Sequence, residues 1–408
     1  MLVQLAFSGM QTRGNIMKSI LLASASIVAF TIAGAAAAEV SFGGEVTLGF
    51  NDDDDDVNDD ADGFYFDGNI AVTLSQELGA GLTAAATFDF DFVNVASENG
   101  VADTSGLGLD LEAGGFLLSL TSETAGLFFG DTSFAAEDYW SGVGEMANDS
   151  FSEADGEVVL KGTGTFGTVS AGVSYVIADV DGNLVGDDPT VDGSLDQMSV
   201  GATAEFGQFT VGMAYQAESD ATAGGSYDPT ANGDFNTDEV FGIFAGTTLA
   251  GADLSFAYAN NLTIEEDSFG VGVSYPIGPV TLGATYASNS DVPDVYELSI
   301  AYAQGPFTIA GEYQDDTDDA TDAVEFSVDA TYAAFEGVTI LAGFNGGDGN
   351  LKANGDEGLD YYIGAQASLG EGATLTISFA EDEDDSEEDE IGAPEFQEGT
   401  TIEIGFTF

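Results

Sequence analysis

The feature of this sequence that most restricts its fold is a two-residue periodicity that recurs from Glu39 to the C-terminus. In segments of roughly ten residues, apolar side chains occupy alternate positions and small or polar side chains lie between them. From Gln208 to Tyr215, the odd positions are Phe, Val, Met and Tyr, whereas the even positions are Gln, Thr, Gly and Ala. Because successive side chains of a strand point to opposite faces, each segment predicts a strand with one apolar face.

The connections between these segments alternate between short and long. Nine are tight: Gly79–Gly81, Thr124–Gly126, Phe166–Gly167, Phe206–Gln208, Ala250–Gly251, Gly278–Pro279, Gly305–Pro306, Glu336–Gly337 and Gly370–Gly372. Ten are longer and many are acidic, for example Asp52–Asp60, Ala178–Gly193, Glu218–Thr237, Asp315–Asp322 and Glu381–Glu390. Short turns on one rim and long loops on the other are typical of barrels that span the bacterial outer membrane. We therefore expect an all-β, transmembrane, antiparallel up-and-down barrel of about twenty strands, with sixteen to twenty allowed.

The N-terminal region is typical of a secretory signal peptide. Lys18 supplies a basic flank, and Ile20–Ala33 form an apolar stretch. Ala36–Ala38, directly before Glu39, match the small-residue pattern of a cleavage site. We expect Met17 to be the true start, residues 1–38 to form the signal region, and 39–408 to form a single barrel domain. No later segment approaches the ~18 apolar residues of a membrane helix, so the mature chain is expected to cross a membrane with strands.

Aromatic residues recur at fixed heights in the predicted hairpins. Four tyrosines each follow a turn glycine by eight residues: Tyr175, Tyr215, Tyr286 and Tyr313. At about 3.3 Å per residue and a strand tilt near 40°, this spacing corresponds to roughly 20 Å of height. We expect these tyrosines at the outer membrane interface, and Phe166, Phe206 and Phe307 at the inner one.

The acidic residues within the strands give an independent test, because a charge that faces lipid at mid-depth costs up to about 2–4 kcal/mol. In nearly every predicted strand they fall between the apolar positions and not among them. The predicted lumen-lining residues are Glu45, Asp67, Asp89, Asp91, Glu297, Glu312, Glu325, Asp329, Asp360 and Glu403, together with Lys161.

The end of the chain has the same alternation. Ile402, Ile404, Phe406 and Phe408 alternate with Thr, Glu, Gly and Thr, and the chain stops at Phe408. A last strand of this kind resembles the signal recognised by the outer-membrane barrel-assembly machinery. We expect Phe406 and Phe408 to carry that signal.

The charge of the chain is extreme, with 73 Asp and Glu against four Lys and Arg. Such a surface repels nucleic acid and attracts cations. The absence of Cys and His removes thiolate chemistry and the commonest general base, so an enzyme is disfavoured. The acidity is equally explained by adaptation to saline surroundings, because the Debye length falls to ~3 Å near 1 M salt.

One long connection, from Asp131 to about Gly156, differs from the others because it carries apolar anchors as well as acids. The anchors are Phe134, Tyr139, Trp140, Met146 and Phe151. The acids are Glu137, Asp138, Glu145, Asp149, Glu153 and Asp155. A loop in bulk water has no need of the only Trp in the chain. We predict that it folds into the barrel, packs its aromatics on the wall and presents its carboxylates to a narrowed channel.

The stretch from Gly115 to Trp140, with a strand, a tight turn, a short strand and then a small-residue acidic loop, resembles the third-loop region of the alphaproteobacterial general porins. The hairpin pattern and terminal Phe408 are also similar, so the resemblance covers most of residues 39–408. It implies an outer-membrane homotrimer in a Gram-negative bacterium, with each pore narrowed by this loop and open to passive diffusion of small hydrophilic solutes. Carried over by position, the acidic side of the constriction is Asp131, Glu137, Asp138, Glu145 and Asp149.

The sequence departs from these porins in two respects. They usually have sixteen strands, and they place a cluster of Arg and Lys opposite the acidic loop. This chain has no Arg after Arg13, and Lys161 is the only candidate cation in the wall. We therefore expect a uniformly negative, cation-selective pore for small cationic or neutral solutes.

Other interpretations remain open. The run Asp52–Asp56 lacks the Gly and final Glu of an EF-hand loop, so loosely bound Ca²⁺ or Mg²⁺ is expected in preference to a specific site or a cofactor. Paired carboxylates suit glycosidases, but so many acids produce such pairs by chance. A secreted or surface-anchored, acidic, calcium-binding structural or adhesin protein explains the acidity and the signal peptide. It does not explain the sorted loops or terminal Phe408. A substrate-specific pore is the alternative among channels.

Overall fold

The computed structural model describes residues 38–52, 63–94, 109–154, 156–179, 184–185, 193–221, 235–317, 324–351, 357–382 and 391–408. The first ten strands are β1 (Glu39–Asp52), β2 (Gly63–Gly79), β3 (Leu82–Asn94), β4 (Leu109–Thr121), β5 (Ala125–Asp131), β6 (Val158–Phe166), β7 (Val169–Asp179), β8 (Gly193–Phe206), β9 (Phe209–Gln216) and β10 (Val240–Leu249). The remaining ten are β11 (Ala252–Asn261), β12 (Glu266–Ile277), β13 (Val280–Asn289), β14 (Val295–Gln304), β15 (Phe307–Asp316), β16 (Val324–Phe335), β17 (Val338–Leu351), β18 (Glu357–Gly370), β19 (Ala373–Glu381) and β20 (Gly399–Thr407). One short helix, α1 (Ala135–Tyr139), lies between β5 and β6. The predicted signal region, apart from its last residue, and Asp155 lie outside the described residues.

The strands form one closed antiparallel sheet. Each strand pairs with its neighbours in sequence, and β1 pairs with β20, where Val46 lies opposite Phe406. The predicted barrel and its count of twenty strands are confirmed, and the chain has two hairpins more than the sixteen strands usual in the family it resembles. The predicted tight turns join successive strands on one rim. At Gly167, Gly207, Gly278 and Gly305 the turn requires φ values of 63° to 68°, which glycine adopts without steric cost.

The two faces of the sheet differ sharply. One face, termed the apolar face, carries large hydrophobic side chains that are exposed on the isolated chain, with Phe64 80% exposed. The other, termed the polar face, carries the strand acids, glycines, serines and threonines. Most buried clusters of the described residues lie where a connecting segment packs onto the polar face. Among the described residues, no helix is long and apolar enough to cross a bilayer.

Candidate functional site

The connection between β5 and β6, residues 132–157, packs across the polar face and is termed the inserted loop. Phe134, Ala135 and Ala136 in its first turn are fully buried. The N–H of Ala135 donates to Ser174 Oγ on β7 at 2.9 Å, and the N–H of Ala136 donates to Ser199 Oγ on β8 at 2.6 Å. Wall hydroxyls thus satisfy helix N–H groups that have no partner within α1.

Glycines on the polar face make room for this loop. A Cβ at Gly201 would lie 2.3 Å from Ala135 O, and a Cβ at Gly270 would lie 2.6 Å from Val143 Cβ. A Cβ at Gly242 would lie 2.3 Å from the Trp140 ring, which also packs edge-on against Phe244 at 5.9 Å. The predicted packing of loop aromatics on the wall is therefore seen for Trp140, and more generally large loop residues lie over small wall residues.

We expect Gly242→Ala to displace Trp140 and to destabilise the folded barrel by about 1–3 kcal/mol, because the added methyl overpacks a closed contact. Trp140 is the only tryptophan, so its emission maximum reports this site directly. The matched control is Gly246→Ala on the same strand and face, where the nearest atom would be Leu254 O at 3.8 Å. Equal emission spectra for both variants would contradict the contact.

A second connection holds the inserted loop in place. Asn236, which precedes β10, is buried with Ser152, Gln197 and Gln216. Its carbonyl accepts hydrogen bonds from Gln197 Nε2 at 2.7 Å and Gln216 Nε2 at 3.1 Å, and its N–H donates to Ser152 Oγ at 3.1 Å. The Ser152 N–H in turn donates to Gln216 Oε1 at 2.7 Å. The inserted loop is therefore bonded to two wall strands and to a neighbouring loop at one point.

Lys161, the predicted wall cation, is engaged by the inserted loop. Its Nζ lies 2.8 Å from Asp138 Oδ2 and 2.7 Å from Ser133 Oγ, and the residue is only 5% exposed. Ser133 also donates to Asp138 Oδ1. Lys161 and Asp138 therefore neutralise each other beneath the loop.

Two other predicted constriction acids bond within the loop itself. Glu137 accepts a hydrogen bond from the Phe134 N–H at 3.1 Å, and Asp149 accepts one from the Trp140 indole N–H at 3.0 Å. Burial raises the pKa of Glu137 to about 7, although the bond from Phe134 opposes that shift. Burial likewise raises the pKa of Asp149 to about 6 against the bond from Trp140. Glu153 lies within electrostatic reach of both.

Glu145 differs from these acids because it faces the wall. Gln314 Nε2 donates to its Oε2 at 3.3 Å. Burial, reinforced by the charges of Glu297 and Glu325, raises the pKa of Glu145 to about 7. Four wall acids on three successive strands lie on this part of the polar face and are termed the acidic strip: Glu297 on β14, Glu312 on β15, and Glu325 and Asp329 on β16. Glu312 is within electrostatic reach of the other three and of Glu145.

Asp131 and the β3 acids form a second group. Leu127 and Phe129 lie on the apolar face, and simple alternation would place Asp131 there too. Gly130 has φ of 123°, and Asp131 Oδ2 lies within 2.8 Å of the Cβ position at Gly115. Asp131 consequently shares the polar face with Asp89 and Asp91 and is within electrostatic reach of Asp89.

The remaining lumen candidates also lie on the polar face, at intervals around the barrel. Asn69 Nδ2 donates to Glu45 Oε1 at 3.5 Å, and Asp67 is on the same face of β2. Tyr65 donates to Glu403 at 2.9 Å, and Asn345 donates to Asp360 at 2.8 Å. Within the described ranges, no group of three or more Asp, Glu, His or Cys side chains is arranged to hold a metal ion.

Two further segments pack on this face where the sequence predicts only acidic loops, one within Glu218–Thr237 and one just after Glu381–Glu390. Phe235 is buried against Phe134, and Ile391 and Phe396 are buried against Tyr362 and Ala380. The available signal was a large apolar residue within or beside each acidic stretch.

A sequence profile described as Gram-negative porin matches residues 23–387. No curated protein sequence matches this chain. Among solved structures, a five-substitution mutant of the Rhodopseudomonas blastica porin is 14% identical with a TM-score of 0.41, covering 90% of this chain and 100% of that chain. A mutant of the same porin with two introduced tryptophans is 15% identical with a TM-score of 0.40, again covering 90% and 100%.

Proposed function

Because this chain belongs to the Gram-negative porin family and is thus an outer-membrane diffusion channel, we propose that it selects small cationic or neutral hydrophilic solutes through an acidic lumen. The polar face is taken as the wall of that lumen, since the apolar face suits lipid. The proposal assigns no catalytic chemistry to the chain.

One observation carries the proposed selectivity. The acidic strip faces Glu145 of the inserted loop, whereas Lys161 is paired with Asp138 and buried. Among the described residues, Lys161 is the only Lys or Arg, so no basic side chain opposes the strip there. A lumen with carboxylates and no opposing cation concentrates cations and excludes anions. The constriction is proposed to comprise the inserted loop with Glu145 and the acidic strip, with Asp131 and Asp89 beside it.

Family membership favours this function over the secreted calcium-binding adhesin. Divalent cations are proposed to act only as loosely held counter-ions of the acidic surface. Removal of Ca²⁺ and Mg²⁺ by a chelator should therefore leave heat-modifiable gel mobility unchanged, and unfolding by the chelator would contradict this.

The trimer implied by the resemblance gains support from the tyrosines. Ten lie on the apolar face of the described strands: Tyr175, Tyr215, Tyr258, Tyr275, Tyr286, Tyr296, Tyr302, Tyr313, Tyr332 and Tyr361. All are on β7–β18, and several donate to rim carboxylates, such as Tyr215 to Glu239 at 2.8 Å. Tyrosine suits the lipid headgroup region, so the contiguous sector β19–β20–β1–β6 is proposed to face other subunits. A monomeric mass in mild detergent would exclude this.

The C-terminal strand is proposed to be recognised by the barrel-assembly machinery. Phe406 and Phe408 lie on the apolar face and are 39% and 61% exposed, and the Phe408 N–H donates to Gly44 O at 2.9 Å. Crosslinking of this strand to the assembly machinery during biogenesis would test the assignment.

The main experiment is single-channel recording in planar bilayers under a KCl gradient. We expect stable conductance and a reversal potential toward the K⁺ equilibrium value. An anion-selective or non-conducting protein would overturn the proposal.

Selectivity should also depend on pH near neutrality. Glu145 has a raised pKa of about 7, so it is mainly charged above that pH and neutral below it. We expect the cation preference to weaken as the pH falls from about 8 to about 6. Glu145→Gln should remove the part of this dependence that Glu145 contributes and leave the part due to Glu137 and Asp149, and a pH profile identical to that of the native protein would contradict the assignment to Glu145.

A further inference from the structure

A short segment before the last strand, residues 391–398, also packs on the polar face and is termed the second segment. It forms a tight turn in which the Ile391 N–H donates to Phe396 O at 2.8 Å and the Phe396 N–H donates to Ile391 O at 3.1 Å. The Glu395 N–H closes the turn on Gly392 O at 2.9 Å. Its conformation is therefore fixed by its own backbone.

This turn packs against the wall in the same way as the inserted loop does, with large side chains over small wall residues. Ile391 and Phe396 are only 3% and 6% exposed and pack with Tyr362, Ala380 and Leu341. A Cβ at Gly364 on β18 would lie 2.5 Å from the Phe396 ring. A glycine recess again accommodates a large side chain from a connecting segment.

The second segment is also tied to the seam of the barrel. Asn51 on β1 is fully buried, and its Nδ2 donates to Glu398 O at 2.8 Å. Thr401 Oγ1 on β20 donates to Asn51 Oδ1 at 3.0 Å. The segment is thus anchored on the strands that close the sheet and on β17–β19.

The two insertions cover different arcs of the wall. The inserted loop contacts strands from β6, through Lys161, to β15, through Gln314. The second segment covers β17–β19, and Tyr362 beneath it donates to Asp329 of the acidic strip. The strip therefore begins on β14 and β15, at the end of the arc that the inserted loop contacts, and ends on β16, next to the arc of the second segment.

We propose that the second segment forms a second wall of the constriction, opposite the inserted loop, which sets the size limit of the pore and directs passing cations along the acidic strip. This rests on the proposed channel function. The second segment would discriminate between small and large cations, whether the size comes from a hydration shell or from organic substituents. The acidic strip would select solutes by charge, and the gap between the two insertions would select them by diameter.

The test is the double variant Ile391→Ser/Phe396→Ser, which removes both anchors. We expect single-channel conductance to rise about 1.5-fold or more, since the open cross-section limits ion flow. Permeability to tetraethylammonium relative to K⁺ should rise, while preference for cations over Cl⁻ persists. The matched control is Leu262→Ser/Ile264→Ser in the β11–β12 connection, where both side chains are exposed. It should conduct as the native protein does.

A milder variant guards against misfolding. Gly364→Ala should displace Phe396 with one methyl group, whereas Gly405→Ala, which meets only Thr47 Oγ1 at 3.9 Å, should not. Heat-modifiable mobility confirms folding of each variant. If the native protein conducts but folded variants keep its conductance and tetraethylammonium permeability, the second segment is not a constriction wall. If the native protein does not conduct, the proposed channel function itself fails.

Discussion

A channel that carries Glu297→Gln, Glu312→Gln and Glu325→Gln is expected to lose most of its cation selectivity while it still conducts. These three carboxylates lie on successive strands within electrostatic reach of one another and of Glu145, and we propose that they set the potential at the constriction. Gln keeps the shape of Glu and removes the charge, so barrel closure and pore width should be nearly unchanged. In a tenfold KCl gradient the native reversal potential should approach the ~59 mV limit for a monovalent ion, and the variant should fall toward zero.

A charge-matched control separates position from bulk acidity. Glu123→Gln, Glu336→Gln and Glu371→Gln remove the same number of charges from exposed positions at three tight turns. Both variants keep 70 of the 73 acidic residues. If selectivity arose from overall acidity, the two would behave alike. We expect the control to keep the native reversal potential, and equal losses in both would contradict the role of the acidic strip.

This comparison also bears on the two explanations of the acidity. Adaptation to saline surroundings requires charge anywhere on the wet surface, and the sequence predicts many of the acids in turns and long connections. Selectivity requires charge where the lumen is narrow and the Debye length does not screen it. The same composition can therefore serve both, and we propose that permeation depends on the acids at the constriction, chiefly the strip and Glu145.

The sequence predicted the barrel well because alternation and turn chemistry are local properties. The sequence of β16 alone determines that Glu325 and Asp329 alternate with its apolar residues and so lie on the opposite face of the strand. Gly278 and Gly305 likewise specify their turns through the positive φ that the backbone needs there. Twenty strands could thus be counted without knowledge of any long-range contact.

The site was less predictable, because its geometry depends on contacts between distant residues. Glu137 and Asp149 accept hydrogen bonds from residues 3 and 9 positions away in the same loop, whereas Glu145 accepts one from Gln314, 169 positions away on the wall. Asp131 reaches the polar face only because Gly130 interrupts the alternation. The acids of one loop therefore have different environments, which their spacing does not specify.

The contacts of the two insertions show the same limit. Asn236 and Ser152 are 84 residues apart, and Phe396 meets Gly364 across a strand and a long connection. The sequence around a wall glycine does not indicate which loop residue will pack against it, because that contact forms only when the barrel closes. The repeated use of glycine recesses under Trp140 and Phe396 is nevertheless a rule that can be sought in related sequences.

The second large effect is expected from Lys161→Met. This change leaves the Asp138 carboxylate without its cation beneath the inserted loop, while the Met stem still fills the space. Because Asp138 is partly exposed, the loss of unfolding free energy should be about 1–3 kcal/mol, below the range for a fully buried pair. The released loop should increase open-channel noise. Loss of the Lys161 charge should leave the preference for cations unchanged or increase it. The variant should therefore be noisier than the native channel without being less cation-selective.

The double variant Lys161→Met/Asp138→Asn identifies the cause. If the effect of Lys161→Met comes from an uncompensated carboxylate, neutralising Asp138 should restore most of the stability and quiet the channel. If Lys161 instead acts through its contact with the Phe128 ring at 5.7 Å, the double variant should remain as unstable as the single one. Thermal unfolding in detergent and single-channel noise distinguish these outcomes. Rescue would show that this ion pair is one of the anchors of the inserted loop, in addition to the hydrogen bonds from Ala135, Ala136 and Ser152.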